Sequence, residues 1–205
     1  MTARILLTAL LLACTSCGDI LPHPPPPPAL YRLTPLPGSA STGPALAIQL
    51  VADAPTAPAA LDTARIALTT STYSFDYFAN AAWTDRAPAM LQTLIVETLE
   101  NDARIRVVAR SSLELRADAV LQSDMRDFEA EYRGEGPPTV RVRFDCRLVR
   151  LPERNVIAVR QFEGSARAGA NQTAAIVAGF DEALHAALAP LPDWVAASLA
   201  GSKPQ

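Results

Sequence analysis

From Thr139 to Val149 the chain alternates without a break. Val140, Val142, Phe144, Cys146 and Leu148 fall on one parity, and Arg141, Arg143, Asp145 and Arg147 on the other. A strict period of two over this length describes a β-strand with one buried and one wet face. A helix would scatter the charges around its whole circumference. The strand therefore demands an apolar layer on one side and water on the other. A turn at Leu151–Asn155 and a returning strand, Val156–Glu163, complete an antiparallel hairpin.

The remaining pattern supplies the missing layer. Met90, Leu91, Leu94, Ile95 and Leu99 recur at helical spacing after Thr84 or Asp85, either of which can cap, with Pro88 in the first turn. Ile176, Phe180, Leu184 and Leu188 lie four apart on a second helix, Asn171–Ala189, which Pro190 and Pro192 end. Between and before them lie further strands: Ala45–Val51, the hairpin Ala64–Thr69 with Tyr73–Phe78, Ile105–Val108, and the long half-polar Asp118–Tyr132. In that last strand the apolar parity switches between Leu121, Met125 and Phe128, which predicts a bulge. Gly164–Ala170 reads as a loop of small residues. The element order β-β-β-α-β-β-β-β-α predicts an α+β, two-layer fold, a mostly antiparallel sheet packed against two amphipathic helices.

The amino terminus has another character. Arg4 precedes an apolar stretch, Ile5–Ala13, that runs into Cys14, with Cys17 close behind. A positive start, a short apolar core and a small residue before a cysteine make a bacterial lipoprotein signal, and the stretch is too short to span a bilayer. Leu11-Leu12-Ala13-Cys14 has the order that processing enzymes read, so Cys14 is the expected lipidation site and Cys17 the alternative. Neither is followed by Asp, which directs the expectation to the periplasm and the outer membrane rather than the inner one. Residues 14–44 then form a lipidated tether. Its prolines, Pro24–Pro28 foremost, favour a stiff extended spacer on the order of 80 Å long. Tyr31-Arg32-Leu33 interrupts it as a candidate short docking strand. The domain is expected over 45–200, with a disordered tail at 201–205.

About 190 residues follow the signal, enough for one domain with its own core. The net charge of −3 gives no reason to expect nucleic acid. Two of the three cysteines belong to the signal, so no disulfide framework is available, and Cys146 reads as a small buried hydrophobe. His23 lies in the proline run and His185 on the polar side of its helix, so neither suits a catalytic triad. Asp124, Asp127, Glu129 and Glu131 form the densest acidic group. Cross-strand pairing with neighbouring arginines outweighs a calcium site there. No catalytic, cofactor or metal constellation emerges.

Several ordered pieces together resemble the ABC-type transport auxiliary lipoproteins. They are the lipoprotein signal, Tyr31-Arg32-Leu33-Thr34-Pro35-Leu36, Leu61-Asp62, and Trp83-Thr84-Asp85-Arg86-Ala87-Pro88 with Leu91-Gln92. Further on come Arg126-Asp127-Phe128-Glu129-Ala130-Glu131, the Val140–Val149 strand, Ile157-Ala158, Gln161-Phe162-Glu163 and Gly179-Phe180-Asp181-Glu182-Ala183-Leu184. The resemblance implies a non-enzymatic, membrane-anchored accessory lipoprotein. It implies MCE-domain and ABC permease/ATPase partners that move phospholipid between the two membranes of a Gram-negative envelope, and leaves a homo-oligomer open. A periplasmic lipid- or hydrophobe-binding carrier is the alternative, which requires a lined cavity of roughly several hundred Å³. Aromatic anchors carry most of an interface's energy. The expected partner surface is therefore Tyr73, Tyr77, Trp83 and Arg86, with the arginine face Arg141, Arg143 and Arg147 as the alternative.

Overall fold

The computed structural model describes residues 27–38, 43, 45–102, 104–109 and 117–201. The signal, Cys14, Cys17, His23 and the tail beyond residue 201 lie outside the described residues. Eight strands form one mixed sheet: β1 (Ala29–Tyr31), β2 (Gln49–Ala52), β3 (Arg65–Thr69), β4 (Asp76–Trp83), β5 (Arg106–Ala109), β6 (Ala119–Glu131), β7 (Thr139–Arg150) and β8 (Asn155–Arg167). Among the described residues three helices accompany it, α1 (Ala87–Glu100), α2 (Thr173–Leu188) and α3 (Leu191–Gly201).

Strand β6 organises the sheet. One edge pairs with β7 along its whole length, and β7 with β8, so most of the paired length is antiparallel. The other edge is shared in sequence by β2, an isolated bridge at Thr56–Asp124, and β3, all parallel. Strands β3, β4 and β1 continue the sheet on one side and β5 on the other. The predicted bulge is present: Met125 faces Phe144 and Asp127 faces Arg143, which leaves Arg126 as the extra residue. One inserted residue transfers the inward parity from Leu121, Ser123 and Met125 to Phe128 and Ala130.

The helices cover a single face. Ile176, Phe180, Leu184 and Leu188 of α2 are buried, as are Leu91, Leu94, Ile95 and Leu99 of α1. The run Thr173–Gly201 is long and apolar enough to pass for a membrane span by composition, yet this stripe packs against the core cluster. At the centre Trp83, Phe128 and Phe180 meet with centroids 5.1–5.8 Å apart. Such aromatic contacts add about 0.5–1.5 kcal/mol each beyond area burial.

Three features depart from the sequence reading. Residues 164–167 are not loop but the last turns of pleat in β8, paired with β7 up to Thr139–Arg167. Gly164 is there because α2 lies directly on it: a Cβ would come 2.0 Å from the Ala183 carbonyl oxygen. Beyond Pro190 the chain forms α3 rather than only packing back. Its Trp194 stacks edge-on against Phe162, and Arg104 reaches Asp193 at 2.6 Å. Finally, the expected docking strand at Tyr31-Arg32-Leu33 is present as β1 (Ala29–Tyr31), and the contact with the body extends further along the stretch read as tether, to Leu36. β1 adds to the β4 edge, Leu33 is buried, and the Leu36 N–H donates to Thr98 on α1.

Candidate functional site

The helix-free face of the sheet displays the charges that alternate along β6 and β7. Arg126 on the bulge reaches Asp124 (2.6 Å) and Asp145 (2.9 Å), Arg143 reaches Asp127 (2.6 Å), and Glu131 takes both Arg133 (2.8 Å) and Arg141 (3.3 Å). The pairs run across strands because the ladder sets opposite residues side by side. Thus Arg141 and Arg143 serve the face itself, while Arg147 borders a polar cleft of about 210 Å³ with Asp53, Thr56 and Asp145. Among the described residues no group of three His, Cys, Asp or Glu side chains is placed to hold a metal ion.

Glu129 differs from its neighbours. It points to the same face but is buried, with Ala67 of β3 and Arg141 of β7 as its cross-strand neighbours and Asp127 and Glu131 flanking it. Burial pushes its carboxyl up to about 7, and the adjacent carboxylates push the same way. The Phe128 N–H that it accepts at 2.7 Å works in the opposite direction. Cys146, on the inner face, is sealed from solvent, and burial pushes its thiol up to about 12. That is an inert thiol.

The aromatic rim expected from the sequence divides in two. Trp83 is 1% exposed and belongs to the core, a correction that follows from β4 running on to Trp83 and pairing there with Tyr31. Tyr77 is half-buried under the Arg65 guanidinium (3.7 Å), and its hydroxyl donates to the Ala60 carbonyl. Arg86 is ion-paired with Asp62. Only Tyr73 stands free at 99% exposure, joined by Phe75 at 42%, which the sequence reading had not singled out. Asp85 accepts the adjacent Arg86 N–H rather than capping α1. The Thr63 carbonyl takes the Ala87 N–H instead.

The residues that carried the family resemblance converge. Thr34 donates its N–H and hydroxyl to Asp181 (2.7 and 2.8 Å), and His185 meets the Thr34 carbonyl at 3.0 Å. Thr84 donates to the Tyr31 carbonyl, and Asn101 to that of Leu36. The segment 29–38 is therefore a strap that ties β4, α1 and α2 together, and His185 finds a structural role in it. A cleft of about 410 Å³ lies between the strap and α1. Arg32, Asp85 and Glu97 share its lining with Met90 and Leu94. Three charged groups suit it poorly to an acyl chain, whose burial would desolvate them.

The comparisons with known proteins agree with this picture. The fold matches a crystal structure of a protein from Xanthomonas campestris with a TM-score of 0.77 and 25% identity, over 84% of this chain and 98% of that one. An uncharacterized protein matches at 0.62 and 15% identity, over 82% and 99%. A hypothetical protein of Chlamydia trachomatis matches at 0.50 and 9% identity, over 76% and 100%. The last two show the fold alone. No curated protein matches the chain. The model of the ABC-type transport auxiliary lipoprotein component matches residues 31–190, from the strap to the end of α2. The chain belongs to that family, and is therefore a membrane-anchored lipoprotein of the cell envelope whose role is auxiliary to transport.

Proposed function

We propose that the protein is the non-enzymatic accessory lipoprotein of an MCE/ABC-type phospholipid transport system, lipidated at Cys14 and held at the outer membrane. The family match over residues 31–190 carries the reading. An auxiliary component needs an anchor and a docking surface, and the sheet face without helices offers the latter. Among the described residues its edge, β8, pairs only with β7, and it exposes Val159, Gln161 and Glu163 beside the arginine row. Because Trp83 is core, the arginine face with Arg141, Arg143 and Arg147 replaces the aromatic rim as the proposed partner surface. Charges there set on-rate and register more than affinity.

The test is affinity purification of the full chain from detergent-solubilised envelopes. Recovery of an ABC permease, its ATPase and an MCE-domain protein is expected. Recovery of the chain without any of the three contradicts the assignment. Mass spectrometry of the mature amino terminus separates Cys14 from Cys17, and an unacylated terminus overturns the anchor.

A further inference from the structure

The β3–β4 hairpin ends in the run Thr70-Ser71-Thr72-Tyr73-Ser74-Phe75, six residues without a charge. Its two aromatic rings are exposed, Tyr73 completely. The turn nevertheless satisfies its own backbone: the Thr70 and Ser71 N–H groups donate to Ser74 Oγ at 3.0 and 2.8 Å. Such a tip loses little when it leaves bulk water, because these donors already have partners. Phe75 packs edge-on against Tyr77, over which Arg65 lies, so a cation stands behind the aromatic tip.

Topology says what the tip faces. β1 runs parallel to β4, with Ala29 beside Ala81 and Tyr31 beside Trp83. β4 runs away from the hairpin turn, so the chain enters β1 from the side of the sheet where that turn projects. Pro27 and Pro28 therefore lead into β1 from the direction of Tyr73 and Phe75, although β1 itself pairs with the far end of β4, Ala81–Trp83. The turn between β7 and β8, with Glu153, lies at the opposite end, because β7 starts beside the end of β6 and runs the other way.

We infer that the hairpin tip, through Tyr73 and Phe75, seats in the headgroup region of the bilayer that holds the lipid anchor. This rests on the reading that the lipid is carried near the amino terminus. Tyrosine suits that depth, with an apolar ring and a hydroxyl for the wet side. Such seating orients the domain: the tip faces the membrane and the β7–β8 turn faces away. It leaves the arginine face upright and open to a partner.

The test uses the lipidated full-length mature protein in vesicles of equimolar phosphatidylethanolamine and phosphatidylglycerol. An environment-sensitive fluorescent amino acid replaces Tyr73 in one sample and Glu153 in another. The expected result is a blue-shifted emission at position 73, quenched by lipids brominated near the headgroup, with neither effect at 153. Equal, water-like emission at both positions in protein that floats with the vesicles overturns the inference and leaves the anchor intact. A blue shift without quenching by brominated lipid also overturns it, since a second copy of the chain then covers the tip. Failure to float at all overturns the anchor reading and the inference with it.

Discussion

On β7 the side chains of Phe144 and Cys146 are sealed from solvent, while Asp145 and Arg147 beside them line a polar cleft. The inner face is governed by volume. There α2 approaches β8 as closely as Gly164 allows, and Trp83, Phe128 and Phe180 fill the space between. The outer face is governed by charge pairing between partly solvated groups, each worth about 0–1 kcal/mol. Stability is thus concentrated on one side of a single sheet, which leaves the other free to change its chemistry for recognition. Glu129 crosses this division, a carboxyl on the outer face that is nevertheless buried.

The two faces differ most at their aromatic residues. Trp83→Ala is expected to cost about 3–5 kcal/mol in chemical denaturation, whereas Tyr73→Ala stays within about 0.5 kcal/mol. Similar losses for the two would return Trp83 to the surface. Gly164→Ala comes next. Its Cβ would meet helix backbone, so α2 must move, and a loss of about 3 kcal/mol in the same assay is expected. Gly169→Ala, with nothing within 4 Å of the added carbon, is the control and should be nearly neutral.

Glu129 makes stability depend on pH. Its carboxyl titrates near 7 in the folded protein, against 4.5 for the unperturbed group. The unfolded chain then releases the proton first. Stability accordingly falls as pH rises from about 4.5 to about 7 and levels off above. Glu129→Gln keeps an acceptor for the Phe128 N–H and removes the titration. It should flatten that slope and raise stability at pH 8 by about 2 kcal/mol. A variant with an unchanged slope would place the titrating group elsewhere. On the outer face Arg143→Ala is expected to cost about 1 kcal/mol or less, reduced by added salt. A larger loss would mean that the outer face holds the fold as well.

Much of the fold was legible because its signals are local. The alternation of Val140–Leu148 needs no partner to be read, and the parity switch at Met125 announces the bulge at Arg126. The stripe Ile176–Leu188 marks a helix with one buried side. What escaped depends on contacts distant in sequence. Gly164 looks like a strand breaker until Ala183 is known to press on it, and Trp83 looks like a rim residue until Tyr31 pairs beside it. Of the strap, only Tyr31-Arg32-Leu33 stood out from the proline-rich composition, because bonds such as those from Thr34 reach residues about 150 positions away. The candidate surface was legible only as charge. Nothing local distinguishes Glu129 from Asp127, although one is buried and the other paired.

The claim that the helix-free face is the docking side of this lipoprotein is tested most directly by site-specific photocrosslinking in intact cells. A photoreactive residue replaces Gln161 on β8 or, as the control, Glu182 on the exposed side of α2. The account predicts a crosslink from position 161 to the MCE-domain protein of the transport system and none from position 182. Crosslinks from 182 alone, or from neither position, would contradict it.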